Sequence, residues 1–482
     1  MSGLHEECGV FGIFAAEKTD VTGPMFYGLH ALQHRGQEGC GMVVADDGVF
    51  HDYKDLGLLN EVFVPSVMAK LGQGNMGVGH VRYGTSVTNN RANCQPIVVR
   101  HSKGSLAMAY NGNVVNTEEL REELEAKGAI FHTTSDTEVM SCIVAMERLH
   151  SASIEEAVCK AMYRIKGAYS TVLMSPTKLI ALRDENGIRP LCYGQTPTGE
   201  YVVASETCAL DAVGAKFIRD IEPGEIVVFS KDGIKSIREH CGKRPPSLCV
   251  FEYIYFARPD SVVDGCSVHE ARVRAGAFLA LKDNVEADVV IGVPDSGIDA
   301  AIGYARQSGI PYAIGLIKNK YICRTFIAPE QKTRQDKVKL KLNAVSHVVS
   351  GKRVVLVDDS IVRGTTSAVI VKLLRDAGAT EVHMRVSAPP FIGCCYYGTD
   401  IDNEECLIAN RCSMEEMAQV VGVDSLGFLD LTDVGKLANT DKECQYCMGC
   451  FTKEYPAEIP ADRNKIKYEN KYEKKISEKE SN

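Results

Sequence analysis

No stretch of this chain stays apolar and uncharged for the roughly 18 residues a membrane-spanning helix needs, so no membrane span is expected. The apolar run from Cys8 to Ala16 has no basic segment before it. Glu6 and Glu7 precede it instead, which argues against a secretory signal. A cytoplasmic protein is expected. A basic excess is also missing: the net charge is -9 and the pI near 5.8, which speaks against a general nucleic-acid binder. The ATPase phosphate loop G-x-x-x-x-G-K-[ST] does not occur. No helix-turn-helix pattern and no internal repeat is visible.

What is present is length and alternation. At 482 residues the chain exceeds one core, and two or three domains are expected. The first half reads as mixed strands and helices, with strands at Val10 to Phe14 and Ser105 to Ala109. Asn116 with Glu119 suggests an N-cap and capping box for a helix from Thr117 to Lys127. Thr134-Ser135-Asp136 opens a second helix. A basic, proline-containing stretch, Lys243-Arg244-Pro245-Pro246, is the linker candidate. Beyond it, strands at Ala287–Val293, Lys352–Val357 and Glu381–Val386 alternate with helices, the signature of a parallel sheet.

The most informative run is Val354 to Thr366. A buried strand ends in Asp358-Asp359, and Arg363-Gly364-Thr365-Thr366-Ser367 leads into an amphipathic helix. Backbone N–H groups and hydroxyls there suit a monophosphate, because a helix N-terminus favours an anion. Two carboxylates repel a bare phosphate, so they imply a ribose diol or a Mg2+ ion. The run matches the phosphoribosyltransferase signature, whose usual ligand is phosphoribosyl pyrophosphate. Pro294-Asp295-Ser296 falls at the carboxyl end of a neighbouring strand, where ligands of such sheets bind.

A second set of motifs lies near the N-terminus. Cys8-Gly9-Val10-Phe11-Gly12 is followed by Gln33-His34-Arg35-Gly36-Gln37-Glu38, Gly79-His80-Val81-Arg82-Tyr83-Gly84-Thr85, Asn111-Gly112-Asn113 and Ser135-Asp136-Thr137. In this order they resemble the glutaminase domain of the N-terminal-nucleophile amidotransferases. A terminal Cys needs no separate His base: its own α-amine, with a pKa of about 7.7–8.0, shuttles the proton. By resemblance, Cys8 is the nucleophile, with Asn111 and Gly112 as oxyanion donors. Arg82 would bind the glutamine carboxylate, Asp136 its ammonium, and Arg35 would shape the pocket. Singly, each has a plainer reading: Asn111-Gly112 as a hairpin turn, Arg82 in a surface ion pair, Asp136 as a helix cap. Cys8 has a free α-amine only after residues 1–7 are removed, so a propeptide is expected.

The two motif sets together resemble the glutamine phosphoribosylpyrophosphate amidotransferase family, from Cys8 to about Ile459. The resemblance implies an α+β N-terminal-nucleophile glutaminase domain with αββα layers over residues 8–240. An α/β type I phosphoribosyltransferase domain with a parallel sheet would follow over 241–460, then a charged tail over 461–482. It implies ammonia from glutamine passing internally to phosphoribosyl pyrophosphate, yielding 5-phosphoribosylamine. Asp358, Asp359 and Ser296 would meet Mg2+ or ribose, and residues 363–367 the 5-phosphate. Lys318 to Phe326, with Lys318 and Arg324, resembles the loop that closes over pyrophosphate; Lys339 and Lys341 are expected as nucleotide-phosphate contacts. Purine nucleotides are expected as inhibitors and a homo-oligomer as the assembly.

The chain carries 18 Cys, most of them expected as buried reduced thiols. Cys444, Cys447 and Cys450 form a C-x2-C-x2-C run. From spacing alone, Zn2+ and an iron–sulfur cluster are equally compatible. The resemblance points to a [4Fe-4S] cluster on Cys249, Cys395, Cys447 and Cys450, with Cys394 an adjacent alternative to Cys395. Two rival readings fit the sequence less well. A glucosamine-phosphate synthase would lack the Asp358-Asp359 run, and a phosphoribosyl-sensing DNA-binding regulator would need no Cys8.

Overall fold

The computed structural model describes residues 8–83, 90–320, 341–399, 401, 403–438 and 445–460. The first part is built on two antiparallel sheets. The seven-stranded one runs, edge to edge, Lys216–Asp220, Cys192–Gln195, Tyr201–Ala204, Gly9–Thr19, Gly74–Arg82, Gly39–Asp46 and Val49–Leu56. The six-stranded one runs Gly233–Ile237, Ile226–Ser230, Leu179–Arg183, Gly167–Met174, Gly104–Val114 and Ile97–His101.

The central strand Gly9–Thr19 shows why the layers stack. Val10 and Phe14 pack between the sheets against Ala107, Val172 and Leu179. Phe11, Ile13 and Ala15, on the other face, pack in one core with Met25 and Leu29 of the helix Thr22–Ala31. The period of two thus serves two cores at once. The helices Asp136–Leu149 and Ile154–Met162 cover the second sheet through Val139, Ile143, Ala157 and Val158. The αββα order expected from the resemblance is the observed one.

Local expectations fared unevenly. The helix after Asn116 forms over Thr117–Ala126, but Asn116 does not cap it. Its amide instead donates to the Arg164 carbonyl at 2.9 Å and accepts from the Lys166 N–H at 3.0 Å. A tertiary partner has overridden the local signal. At the next helix Ser135 is the cap, accepting from the Thr137 N–H, so Asp136 is left for other work.

After the strand Gly233–Ile237 the chain crosses the basic linker stretch to Ser247–Cys249. That short strand pairs in parallel with Gln445–Cys447, Cys249 opposite Cys447. A single π-helical turn over Glu252–Phe256 follows. The second sheet unit is parallel throughout, in the order Val289–Gly292, Arg353–Asp358, Glu381–Val386, Ser425–Phe428. Val290, Val355 and Val357 face the helices Val268–Leu281 and Gly297–Ser308. Val289, Ile291, Val354 and Leu356 face Ile370 and Leu374 of Thr365–Asp376. Among the described residues no helix is long and apolar enough to cross a membrane.

Candidate active site

The strand Gly104–Val114 carries Tyr110, Asn111 and Gly112, so the Asn-Gly pair lies inside a strand and not at a hairpin turn. Gly112 has φ +140°, and a Cβ there would meet the Ala168 carbonyl oxygen at 2.0 Å. Only glycine fits. The Asn111 side chain is buried, and among the described residues neither its Nδ2 nor its Oδ1 has a hydrogen-bond partner. Unpaired buried amides are rare and expensive.

Around Tyr110, which precedes Asn111, the structure brings Cys8 and Asp136 together, with Arg82 near Asp136. The Cys8 thiol lies 3.9 Å from the Tyr83 carbonyl oxygen. Arg82 ends the strand Gly74–Arg82 and is buried, so it is not a surface ion-pair residue. Tyr110 donates its hydroxyl to the Asp136 carboxylate, and the Val114 N–H lies 3.5 Å from the same oxygen. Burial pushes the Asp136 carboxyl up, while the Tyr110 hydroxyl, backbone N–H groups and the Arg82 charge hold it down. Burial keeps His80 neutral, its pKa lowered to about 3, and its Nε2 lies 3.2 Å from the Tyr110 carbonyl. It braces the strand, as a structural His would. Tyr110 was not singled out by sequence; its place directly before Asn111 was the only signal.

Arg35, expected to shape the nucleophile pocket, anchors a contact between the two parts. Its guanidinium is fully buried between Glu206, at 3.2 Å, and Glu252, in the π turn of the second part. Gly36 beside it abuts the Arg82 backbone, where a Cβ would come within 2.6 Å. The Arg35 loop is therefore a joint between the two parts, packed directly behind Arg82.

A cavity of about 790 Å³ opens at the carboxyl ends of the parallel strands. Ser296, Lys318, Lys341, Asp358, Asp359, Arg363, Gly364, Thr366 and Ser367 line it, together with Gln33 and Gln37 from the first part. Burial and mutual repulsion push the Asp358 carboxyl well above the usual range. Burial raises Asp359 too, against hydrogen bonds from Ser296 and Ser360 and the Arg272 charge. A buried carboxylate beside a half-buried one is a natural seat for a divalent cation. Gly364 takes φ +77° and starts the helix Thr365–Asp376, whose first turn forms the cavity wall. Lys318 pairs with Asp295 at the rim. Arg272, Tyr255 and Phe256 also line the cavity and were not expected from sequence. Arg324, Lys339, Cys444 and residues 1–7 and 461–482 lie outside the described residues.

Cys249, Cys395, Cys447 and Cys450 come together. Cys450 feels the charges of the other three, and burial pushes its thiol far up. Cys249 and Cys447 are likewise raised by burial and by their thiol neighbours. Cys394 sits beside this group, with its carbonyl taken by the Tyr455 hydroxyl at 2.7 Å.

Comparison with known domains agrees with this division. The glutamine amidotransferase domain matches residues 81–212 and the phosphoribosyl transferase domain residues 268–401. Fold and site thus define a class: a glutamine amidotransferase joined in one chain to a phosphoribosyltransferase. Amidophosphoribosyltransferase from Bacillus subtilis is 48% identical over 96% of this chain and 96% of its own length. That from Methanocaldococcus jannaschii is 45% identical, over 94% and 98%. A solved structure described as the allosteric regulatory enzyme of purine biosynthesis superposes with TM-score 0.89 at 47% identity, over 95% of this chain and 99% of that one. The B. subtilis glutamine phosphoribosylpyrophosphate amidotransferase complexed with ADP and GMP gives TM-score 0.87 at 48% identity, over 94% and 98%. The chain belongs to the amidophosphoribosyltransferase family.

Proposed function

We propose that the two sites carry out the family's reaction as follows. Removal of residues 1–7 frees the Cys8 amine, which takes the thiol proton as Sγ attacks the glutamine amide. Asn111 Nδ2 and the Gly112 N–H stabilise the oxyanion. Arg82 holds the substrate carboxylate and Asp136 its ammonium. Ammonia leaves, and water releases glutamate from the thioester. Ammonia then crosses to the cavity shared by both parts and displaces pyrophosphate from C1 of phosphoribosyl pyrophosphate, giving 5-phosphoribosylamine. The observations that carry the first half are the buried, unmatched Asn111 amide and the neighbouring Tyr110 hydroxyl, which holds Asp136 and feels Cys8.

In the cavity, the Arg363–Ser367 turn receives the 5-phosphate. Asp358, Asp359 and Ser296 suit Mg2+, which when bound neutralises pyrophosphate charge. Lys318 and Lys341 suit phosphate oxygens. Purine nucleotides, two of which (ADP and GMP) are bound in the B. subtilis complex, inhibit this chain through the same phosphate chemistry. A homo-oligomer in the cytoplasm completes the proposal.

The four thiols suit a [4Fe-4S] cluster. A single Zn2+ with Zn–S bonds of about 2.3 Å needs sulfurs roughly 3.8 Å apart. Among the described residues, the one group of three or more metal-binding side chains within 4.8 Å of each other is Cys159, Glu239 and His240, not the four thiols. The cluster, when bound, acts as a cross-link.

The test is glutamate release from glutamine by anaerobically prepared protein, with and without Mg2+–phosphoribosyl pyrophosphate. Strong stimulation supports both sites and their coupling. Glutaminase activity indifferent to that ligand removes the acceptor assignment. No glutamate from protein that starts at Cys8 overturns the nucleophile.

A further inference from the structure

At the end of the first part, three side chains converge that neither site uses. Cys159 lies on the helix Ile154–Met162; Glu239 and His240 precede the linker. A sulfur, a carboxylate oxygen and an imidazole nitrogen all come within 4.8 Å of one another. Cys159 and His240 are buried, while Glu239 is open to solvent.

His240 faces an odd environment. Its Nδ1 lies 2.8 Å from a Glu185 carboxylate oxygen, and its Nε2 2.9 Å from the Cys159 carbonyl oxygen. Both neighbours only accept. A neutral imidazole carries one N–H, so it satisfies one of them and turns a lone pair toward the other. A cation taken up on Nε2 would replace the contact with the Cys159 carbonyl oxygen.

The surroundings favour the cation. The carboxylate on Nδ1 is the arrangement that fixes a metal-binding His in the right tautomer. The Tyr163 ring packs 4.3 Å from the imidazole, and its hydroxyl donates to Glu239 at 2.7 Å. Lys243 in turn donates to that hydroxyl at 2.9 Å. Both outer ligands are thereby held in place.

We propose that Cys159, Glu239 and His240 form a binding site for a zinc-class divalent cation, with Glu185 orienting His240. A water completes a four-coordinate shell on the open side. Sulfur and imidazole donors select against Mg2+ and Ca2+. As the Sγ–metal bond forms, the thiol proton leaves to solvent. Burial and the Glu239 carboxylate push the free thiol up to about 12, so ionisation here needs the metal. The bound ion would tie the segment before the linker to the helix Ile154–Met162.

Zinc chloride is titrated against a chromogenic chelator in EDTA-dialysed full-length protein, and retained zinc and iron are counted by elemental mass spectrometry. Wild type should retain zinc and melt higher with it. Glu239→Gln, at an exposed position that cannot disturb the core, should bind at least about tenfold more weakly. Glu185→Gln should bind about 10–100-fold more weakly. Cys159→Ala should not retain zinc, with iron unchanged. Equal zinc affinity in wild type and Glu239→Gln would overturn the site. So would zinc that persists in Cys159→Ala but is lost in Cys447→Ser.

Discussion

Asn111 is the residue whose environment demands a ligand, because its buried amide has no partner among the described residues. Asn111→Ala should lower glutamine-dependent turnover by about 10²–10³-fold, the usual loss for one oxyanion donor. Ammonia-driven synthesis should be unchanged, and assaying both on one preparation checks this. Tyr110 tunes Asp136. Its hydroxyl lowers a carboxyl that burial raises, so Tyr110→Phe should raise it further. A raised carboxyl holds its proton to higher pH, and the charged form proposed to bind the ammonium is lost earlier on acidification. The acid limb of glutaminase kcat/KM should therefore move to higher pH in the variant. An unmoved limb would remove Asp136 from that role. Arg82, Asn111, Gly112 and Asp136 could be proposed from the sequence because each sits in a short contiguous motif. The placement of Arg35 could not, since its partner Glu252 lies 217 residues away.

Between elements, the tightest joint is the pair Val268–Leu281 and Gly297–Ser308. A Cβ at Gly303 would sit 1.9 Å from the Val273 carbonyl oxygen, and one at Gly276 1.8 Å from that of Ala300. The helices touch backbone to backbone, which seats Ser296 against the Asp359 carboxylate. Gly303→Ala should destabilise the second part by about 1–3 kcal/mol, as overpacking does. Thermal unfolding of the variant would read this as a lower Tm. The strand ending at Asp358 was visible as a run of branched apolar residues, and the one ending at Val386 from its place in the strand–helix alternation. The edge strand Ser425–Phe428 was not, because it is four residues long and only half buried. The failed Asn116 cap shows the same limit, since the Arg164 and Lys166 backbone outbids a local partner.

For the whole molecule, the decisive feature is a charged joint closed to water. Glu206 receives the Ser261 hydroxyl at 2.7 Å and the Arg258 N–H at 2.9 Å from the second part, and His34 at 2.7 Å from the first. Burial alone would raise its carboxyl, but the His34 and Arg35 charges hold it well below the usual range. A depressed carboxyl adds stability above its unfolded pKa of about 4.3 and loses it as pH falls toward the folded value. Glu206→Gln should flatten the acid limb of a stability-versus-pH curve measured by urea unfolding. Glu252 carries a heavier load, because Arg35 and Arg189 both rest on it. Glu252→Gln should cost about 3–5 kcal/mol, the range for an orphaned buried charge, and calorimetry should show the two parts melting separately. None of this joint is local in sequence, so composition and periodicity could not reveal it. The pairing of Ser247–Cys249 with Gln445–Cys447 has a further meaning for a growing chain on the ribosome. The first of these strands emerges about 200 residues before the second, some 10–40 s at roughly 5–20 residues per second. Through that interval the first part can be finished while the edge beside Cys249 waits unpaired, so translation speed sets how long this edge is open to wrong partners.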